Sequence, residues 1–159
     1  MPEPNSINIF FRFYSDILDE ETTETLLAEV VDKEYGYYKL MSSPFYASKI
    51  ALGDIVWAEY NDAESMSTYR STIQHSGNST IHAIIMDDEH DIETIRGIFN
   101  DMGCNCESLN DKYFALDVPA NLDYIPVKRK LDELEKDGVI DYAESCLSDK
   151  HQYRNINFK

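Results

Sequence analysis

Positive charge is scarce in this sequence: 14 Lys and Arg residues stand against 30 Asp and Glu residues, and the net charge at pH 7 is −16. Nucleic acids and anionic membrane surfaces are bound through clustered Lys and Arg side chains, so this balance disfavours both as direct partners. An acidic surface instead raises the association rate with a basic protein. The same surface also keeps an ordinary protein in solution, so charge alone leaves both interpretations open.

Cysteine and histidine are few, with three and four residues. Three thiols cannot form a full set of disulfide bonds, which favours a reducing compartment. Cys104 and Cys106 could hold zinc only if Cys146 and His151 completed the site, whereas three ordinary thiols explain the same residues more simply. We therefore expect neither a metal nor another cofactor.

Long apolar runs are missing as well, and we expect no signal peptide. No run approaches the roughly 20 residues that cross a bilayer. The N-terminal MPEPNSINIFF has no basic start followed by an apolar stretch. Hydrophobic residues still make up 43% of the 159 residues, enough for a packed core. We expect a folded, cytoplasmic protein without a membrane partner.

Residues 1–79 have the pattern of short antiparallel strands. Apolar, β-branched and aromatic residues recur between turn residues at a spacing typical of a small β-barrel or a strongly bent sheet. Residues 16–25 are acidic and predict a loop, and the proline at the start of 44–50 predicts an irregular segment. The predicted strands are Ile7–Tyr14, Thr25–Val31, Tyr35–Met41, Ile55–Tyr60 and Ser67–Gln74.

Residues 80–148 alternate between strand and helix patterns. Asp91 predicts the N-cap of a helix that Gly103 ends, and a second helix follows residues 119–123 and ends at Gly138. The resulting order, β-α-β-β-α-β, predicts a ferredoxin-like half and an α+β fold class overall. Residues 149–159 form a polar tail, either an edge extension or disordered. The predicted strands are Thr80–Met86, Cys106–Leu109, Lys112–Val118 and Val139–Cys146.

No motif specifies a catalytic reaction. The loop Ser76–Thr80 matches neither a nucleophile elbow nor a phosphate-binding loop, and small polar residues around a glycine are typical of turns. His75 precedes this loop and is the first residue to test under an enzyme hypothesis, which ranks last. We predict that the protein is not an enzyme and has no catalytic residues.

Two acidic clusters are the candidate recognition sites. The first carries more negative charge than a helix N-terminus needs to complement its dipole, although that role alone could explain it. The second lies in the predicted loop of the first half. The clusters are Asp87, Asp88, Glu89 and Asp91, and Asp16, Asp19, Glu20 and Glu21.

Four short segments occur in a fixed order: Glu24–Glu29 (ETLLAE), Pro44–Tyr46 (PFY), Leu52–Val56 (LGDIV) and Ser76–Thr80 (SGNST). Together they resemble a bacterial family known only as domain of unknown function 4265. The resemblance implies no established activity, so no catalytic residue is transferred from it. Relatives commonly have tryptophan where this chain has Leu27, and an asparagine–apolar pair where it has Ser42 and Ser43.

The motif residues of that family are interpreted as structural. We expect Phe45, Tyr46, Ile55 and Trp57 to close the bottom of the barrel, with Gly53 and Asp54 forming its turn. Both faces of the strand at Trp57 are apolar, which predicts that it is buried. The full structural set is Pro44, Phe45, Tyr46, Gly53, Asp54, Trp57, Ser76, Gly77, Ser79 and Thr80.

Small acidic cytoplasmic proteins of this kind also resemble the immunity proteins of bacterial toxin systems, which cover the active site of a secreted toxin. We hypothesise that the two acidic clusters bind and neutralise a cognate basic toxin, expected to be a nuclease, by electrostatic and steric occlusion. The alternative is a small-molecule-binding or regulatory module without catalysis. In that case the loops Pro44–Tyr46 and Ser76–Thr80 would line the pocket.

Overall fold

A computed structural model of the chain describes residues 5–15 and 19–152. The fold is mixed α+β, with two helices among these residues and largely antiparallel sheets, which confirms the predicted class. The chain divides into two compact units, Met1–Ser76 and Gly77–Lys159. The sequence pattern placed this division three residues later. Neither helix in the described part is long and apolar enough to cross a membrane.

Five strands form the first unit. Successive strands pair antiparallel, and the first strand also pairs parallel with the last through Ile9↔Ser67 and Phe10↔Thr68. The five strands therefore close into a barrel, which removes free sheet edges. The strands are β1 (Ser6–Ser15), β2 (Glu20–Asp32), β3 (Tyr37–Leu40), β4 (Ile55–Asn61) and β5 (Met66–Gln74).

Strand alternation places every second side chain inside the barrel. In β2, Leu26 and Ala28 are buried, while Thr25, Leu27 and Glu29 are exposed. Apolar side chains from all five strands or their connections thus pack in one interior. The buried cluster consists of Ile9, Phe11, Leu26, Ala28, Tyr38, Leu40, Ala47, Ile50, Val56 and Ala58, with Tyr69 of β5 packed against it.

The loop predicted for residues 16–25 is wrong from Glu20 onward, where β2 begins. The acidic residues suggested a loop, but the threonines among them are β-branched and suit a strand. Antiparallel pairing with β1 brings Arg12 Nη1 within 3.4 Å of Glu21 Oε1. An opposite charge across the strands offsets part of the repulsion among the carboxylates.

The connection between β3 and β4 contains no helix or strand, which confirms the irregular segment predicted for residues 44–50. Glu24 of β2 holds its first part. Glu24 Oε2 accepts a hydrogen bond from the N–H of Phe45 at 2.6 Å, and Oε1 accepts from those of Tyr46 and Ala47 at 3.1 and 3.0 Å. Burial raises the pKa of the Glu24 carboxyl, and the three N–H groups act in the opposite direction. The carboxylate thus accepts the hydrogen bonds that these backbone N–H groups would otherwise donate to a neighbouring strand.

Asp54 holds the second part of the same connection and is 1% exposed. Its Oδ2 accepts from the N–H of Ala51 at 3.0 Å, and its Oδ1 accepts from the N–H of Ser76 at 2.8 Å. The Ser76 hydroxyl in turn donates to the carbonyl of Leu52 at 2.7 Å. Asp54 therefore joins the turn before β4 to the residues that follow β5.

The strand at Trp57 is buried on one face only. Val56 lies in the interior and is fully buried, whereas Ile55 and Trp57 are half-buried on the opposite face. The prediction that both faces are buried was wrong, because the outer face of a closed barrel has no second sheet to cover it. Phe45 and Tyr46 are half-buried too and do not belong to the barrel core.

The second unit contains both helices. Its strand order is β7-β8-β6-β9, with every neighbouring pair antiparallel. Apolar residues of the two helices pack with one face of this sheet, and Ile81, Ile95, Phe99, Phe114 and Leu131 are fully buried there. The elements are β6 (Ser79–Ile85), α1 (Ile92–Asp101), β7 (Asn105–Ser108), β8 (Tyr113–Val118), α2 (Tyr124–Lys136) and β9 (Ile140–Cys146).

The helix ends follow capping chemistry. Asp91 caps α1 by accepting from the N–H of Thr94 at 2.8 Å, which confirms the predicted N-cap. Asp123 caps α2 in the same way. Gly103 and Gly138, with φ of +103° and +76°, follow the two C-caps, where a left-handed residue is favoured.

A short 3₁₀ helix, Asp149–His151, begins the predicted polar tail, the rest of which lies almost entirely outside the described residues. His151 is 2% exposed: Nδ1 lies 2.6 Å from the Ser79 hydroxyl, and Nε2 lies 2.9 Å from the carbonyl of Pro119. Nε2 donates to that carbonyl, so in the neutral ring Nδ1 accepts from the Ser79 hydroxyl, which itself accepts from the N–H of Ser148. Burial lowers the pKa of His151, which favours the neutral ring that this network needs.

Replacing Glu24 by Gln is expected to lower the free energy of unfolding by about 1–3 kcal/mol. The amide keeps one acceptor oxygen but turns an NH₂ group toward backbone donors. Urea denaturation measures the change. Glu29→Gln, on the exposed side of β2, is the matched control and should change stability little. Equal stabilities of the two variants would contradict the role given to Glu24.

Candidate functional site

A groove of about 410 Å³ lies on the first unit, where the turn between β2 and β3 meets β4. Its volume lies in the range of small-molecule sites. Aromatic and charged side chains dominate its lining. The lining residues are Lys33, Glu34, Tyr35, Gly36, Tyr38, Trp57, Ala58, Glu59, Tyr60 and Ser67.

The turn between β2 and β3 sets the shape of the groove. The Asp32 carbonyl accepts from the N–H of Gly36 at 2.9 Å, and Asp32 Oδ1 accepts from that of Tyr35 at 3.1 Å. Gly36 has a φ of +78°, and its carbonyl accepts from the N–H of Ala58 at 2.9 Å. A Cβ at Gly36 would lie 2.7 Å from the Ala58 carbonyl oxygen and 3.3 Å from Trp57 Cδ1. Glycine is required by both the backbone conformation and this close approach.

Aromatic side chains from separate strands meet on this surface. Tyr35 and Tyr60 are each 64% exposed. Tyr35 stacks on Tyr37 with ring centroids 5.7 Å apart, and Tyr37 lies opposite Trp57 in the β3–β4 register. The barrel thus assembles a partly exposed aromatic surface around its one tryptophan.

The sequence pattern did not predict this groove. Trp57 was assigned to the barrel interior, and Tyr35 and Tyr60 were assigned only to strand ends. The available signal was the density of aromatic residues in YGYY and WAEY. What brings the two segments together is the pairing of β3 with β4, which neither segment specifies alone.

Carboxylates outnumber cations among the residues that line the groove. Glu34 and Glu59 are both exposed, and Lys33 is the single lining cation among the described residues. Glu59 Oε1 accepts from Arg70 Nε at 3.1 Å, so one guanidinium already binds at the rim. The groove can therefore offer both π faces and carboxylate oxygens to a ligand.

The first acidic cluster lies in the loop before α1. Asp87 accepts from the N–H of His90 at 3.2 Å, and its Oδ2 lies 2.8 Å from His90 Nδ1. Although partial burial opposes it, these bonds lower the pKa of Asp87. Asp88 Oδ1 lies 3.4 Å from Lys112 Nζ. Two of the four carboxylates thus have local partners, His90 and Lys112.

Glu89 and Asp91 complete that cluster. Asp91 is the N-cap of α1, and its hydrogen bonds with Thr94 lower the pKa of its carboxyl. Glu89 is exposed, like Asp88. The structure therefore brings the four predicted residues into one loop, where Asp88 and Glu89 are the two not needed for the cap or the His90 bond.

The second acidic cluster lies at the start of β2. Asp19 has a φ of 55° and accepts a hydrogen bond from the Tyr14 hydroxyl. Glu20 and Glu21 are exposed, and Glu21 faces an arginine of β1 as described above. Asp16, the remaining member, lies outside the described residues.

The loop Ser76–Thr80 is engaged in structural hydrogen bonds. Asn78 Oδ1 accepts from the N–H of Ala120 at 2.8 Å. As described above, the Ser76 hydroxyl donates to the carbonyl of Leu52, and the Ser79 hydroxyl lies 2.6 Å from His151 Nδ1. His75 is 65% exposed at its side chain, and its Nδ1 lies 3.4 Å from Asp54 Oδ2. These contacts explain the loop as a turn whose side chains hold neighbouring segments in place.

The two neighbouring thiols of the zinc alternative belong to the core. Burial raises the pKa of Cys104 and of Cys106 to about 12, so both thiols are protonated at neutral pH. His151 is held by Ser79 and Pro119 instead. Within residues 5–15 and 19–152, no group of three or more His, Cys, Asp or Glu side chains could hold a metal ion.

One buried carboxylate in the second unit is incompletely bonded. Asp117 of β8 is 2% exposed, and its Oδ2 accepts from Asn105 Nδ2 at 3.2 Å. Its Oδ1 has no hydrogen-bond partner in the described part of the chain. Burial raises the pKa of Asp117 to about 6; Asn105 opposes this rise, and Glu107 adds to it. The ionised carboxylate therefore destabilises the folded state at neutral pH.

Comparison with known proteins identifies the family. Residues 24–142 match the family described as a domain of unknown function, DUF4265, so the chain belongs to that family and the resemblance seen in the motifs is confirmed. The fold is similar to the crystal structure of a hypothetical protein from Neisseria gonorrhoeae, with a TM-score of 0.77 and 22% identity over 93% of this chain and 98% of that chain. No curated protein matches the sequence.

Replacing Gly36 by Ala is expected to destabilise the protein by more than Gly138→Ala does. Both residues have positive φ, which penalises alanine by about 1–2 kcal/mol. An added Cβ at Gly138 meets no atom within 4 Å, whereas one at Gly36 meets the Ala58 carbonyl and the indole of Trp57. Urea denaturation and the emission maximum of Trp57 measure the two effects. Equal losses with an unchanged emission maximum would contradict the contact.

Replacing Asp117 by Asn is expected to raise the free energy of unfolding at pH 7 by about 3 kcal/mol. Because the folded state raises this pKa to about 6, wild-type stability from Asp117 is present below the unfolded pKa of about 4 and is lost as pH rises to about 6. The variant removes that slope. Denaturation between pH 4 and 7 tests it, with exposed Asp111→Asn as control. A slope in Asp117→Asn as steep as that of the wild type would refute the assignment.

Proposed function

We propose that this member of the DUF4265 family is a cytoplasmic immunity protein that binds and neutralises a cognate basic toxin domain, a nuclease, without catalysis. The observation that supports it is the net charge of −16. Asp88, Glu89 and Glu20 lie exposed, and Asp88 has a surface ion pair with Lys112. Occlusion of the toxin would be both electrostatic and steric.

The charge argument follows from what a nuclease needs. A nuclease binds a polyanion through clustered Lys and Arg, so its active-site surface is basic. A protein with excess carboxylates is steered to that surface and competes there with nucleic acid. The proposed toxin-binding residues are the two clusters already described, Asp87–Asp91 and Asp16–Glu21.

A binding role without catalysis is favoured by how the reactive side chains are used. The Ser79 hydroxyl and both ring nitrogens of His151 belong to one buried network. Cys104 and Cys106 stay protonated in the core. Each of these groups has a structural role in the second unit, so we assign the function to surface residues.

We also propose a ferredoxin-like classification for residues 80–148. The element order β-α-β-β-α-β and the strand order β7-β8-β6-β9 support it. We propose residues 1–79 as the β-rich domain that accompanies it. Proteolytic fragments that remain folded on either side of this boundary would support the division.

The groove favours one alternative function, a small-molecule-binding or regulatory module. Its volume of about 410 Å³ suits a small ligand. The loops at 44–46 and 76–80, suggested by the sequence as a lining, are not among its residues. A thermal-shift screen against metabolites tests this alternative, because a ligand that binds only the folded state raises the melting temperature in a saturable way.

Co-expression with the product of the adjacent gene tests the immunity function. We expect a stable complex and protection of cells from that product. Asp88→Lys combined with Glu89→Lys should lower the association rate about tenfold at low salt, because both side chains are exposed and steer the partner.

The matched control for that variant is Asp62→Lys combined with Asp101→Lys, which changes the net charge equally at two other exposed positions. Equal effects of the two variants would show that total charge, rather than the Asp87–Asp91 cluster, drives association. No complex and no protection would contradict the immunity function itself.

A further inference from the structure

The groove at Trp57 contains aromatic surface that the fold does not need. Tyr35 and Tyr60 leave 64% of their surface exposed, although aromatic side chains gain much free energy from burial. The barrel core is filled by other residues, and neither tyrosine belongs to it. An exposed aromatic groove rimmed by charged residues is typical of a binding site.

The lining of the groove favours a cation. The faces of aromatic rings carry negative partial charge, and tryptophan attracts cations most strongly. Trp57 lines the groove between the turn that carries Glu34 and the β4 residue Glu59. Lys33 is the one cation in the described lining and Arg70 pairs with Glu59, so the local charges are balanced; the ring faces, together with the net charge of −16, favour a cation.

The rim already binds one guanidinium. Arg70 Nε donates to Glu59 Oε1 at 3.1 Å, and this bond uses only one oxygen of the carboxylate. Arginine carries five N–H donors in a planar group that both stacks on aromatic faces and binds carboxylates. An incoming cationic side chain would find the same chemistry beside it.

We propose that the groove binds an arginine or lysine side chain of a basic protein partner. The cation lies against the aromatic residues that line the groove, and Glu34 and Glu59 offset its charge. The inference rests on the proposed function, since it names the surface on which a basic toxin would place a cationic anchor residue.

Trp57 is the only tryptophan of the chain, so intrinsic fluorescence reports on the groove directly. The intact protein is titrated at about 150 mM salt with the peptide acetyl-Gly-Arg-Gly-Arg-Gly-amide, its lysine analogue, and its citrulline analogue, which keeps the shape but not the charge. We expect saturable changes with the two cationic peptides and at least tenfold weaker binding of the citrulline peptide. No saturable change, or equal affinity for citrulline or for a neutral proline-rich peptide, would overturn the proposal.

A pair of tyrosine variants locates the bound cation. Tyr60→Ala is expected to raise the dissociation constant of the arginine peptide about fivefold. Tyr14→Ala, at a similarly exposed tyrosine that does not line the groove, should leave it unchanged. Circular dichroism verifies that both variants are folded. Equal weakening by the two variants would overturn the assignment of the groove.

The outcome is separable from that of the immunity function. If the protein protects cells and Tyr60→Ala leaves the complex as tight as before, the groove assignment is wrong and immunity stands. If arginine peptides bind at Trp57 but the adjacent product is neither bound nor neutralised, the groove assignment stands and the immunity function is wrong.

Discussion

Two carboxylates satisfy the backbone of the irregular segment between β3 and β4, and the barrel depends on them. Glu24 accepts hydrogen bonds from the three N–H groups of residues 45–47. Asp54 accepts one from the N–H of Ala51, before β4, and one from the N–H of Ser76, after β5. Backbone donors of a segment without a strand partner would otherwise lose hydrogen bonds on burial. Held this way, the segment returns β4 beside β3 in the register that sets Tyr37 opposite Trp57, and the groove follows from that register.

Acidic residues therefore have two uses in this chain, and composition alone cannot separate them. Glu24, Asp54 and Asp91 bind backbone N–H groups and hold the fold together. Asp88 and Glu89 lie exposed, with a surface ion pair at most. The exposed carboxylates Asp88, Glu89 and the N-cap Asp91 present their charge directly to a basic partner, whereas Asp54 is buried.

Local patterns predicted the second unit well and the first unit less well. Caps such as Asp91 and the glycines after each helix are signals carried by a few adjacent residues, so the helix ends were predictable. The strand at Glu20 and the open face of Trp57 depend on pairing between distant segments, which alternation in one segment does not specify. For the same reason the acidic clusters were found in the sequence, whereas the aromatic groove was not.

Trp57 lines the groove and also lies close to the turn between β2 and β3. Gly36 makes both possible, because its positive φ and missing side chain let the turn approach the indole while the β3–β4 pairing continues past it. A larger residue there would push the indole outward or break the bond to Ala58. The turn thus lies close to the indole, and Trp57 lines the groove together with Tyr35 and Tyr60, which are not part of the barrel core. An aromatic ring fixed in this way loses little conformational entropy on binding, which favours a rigid anchor site for a partner side chain.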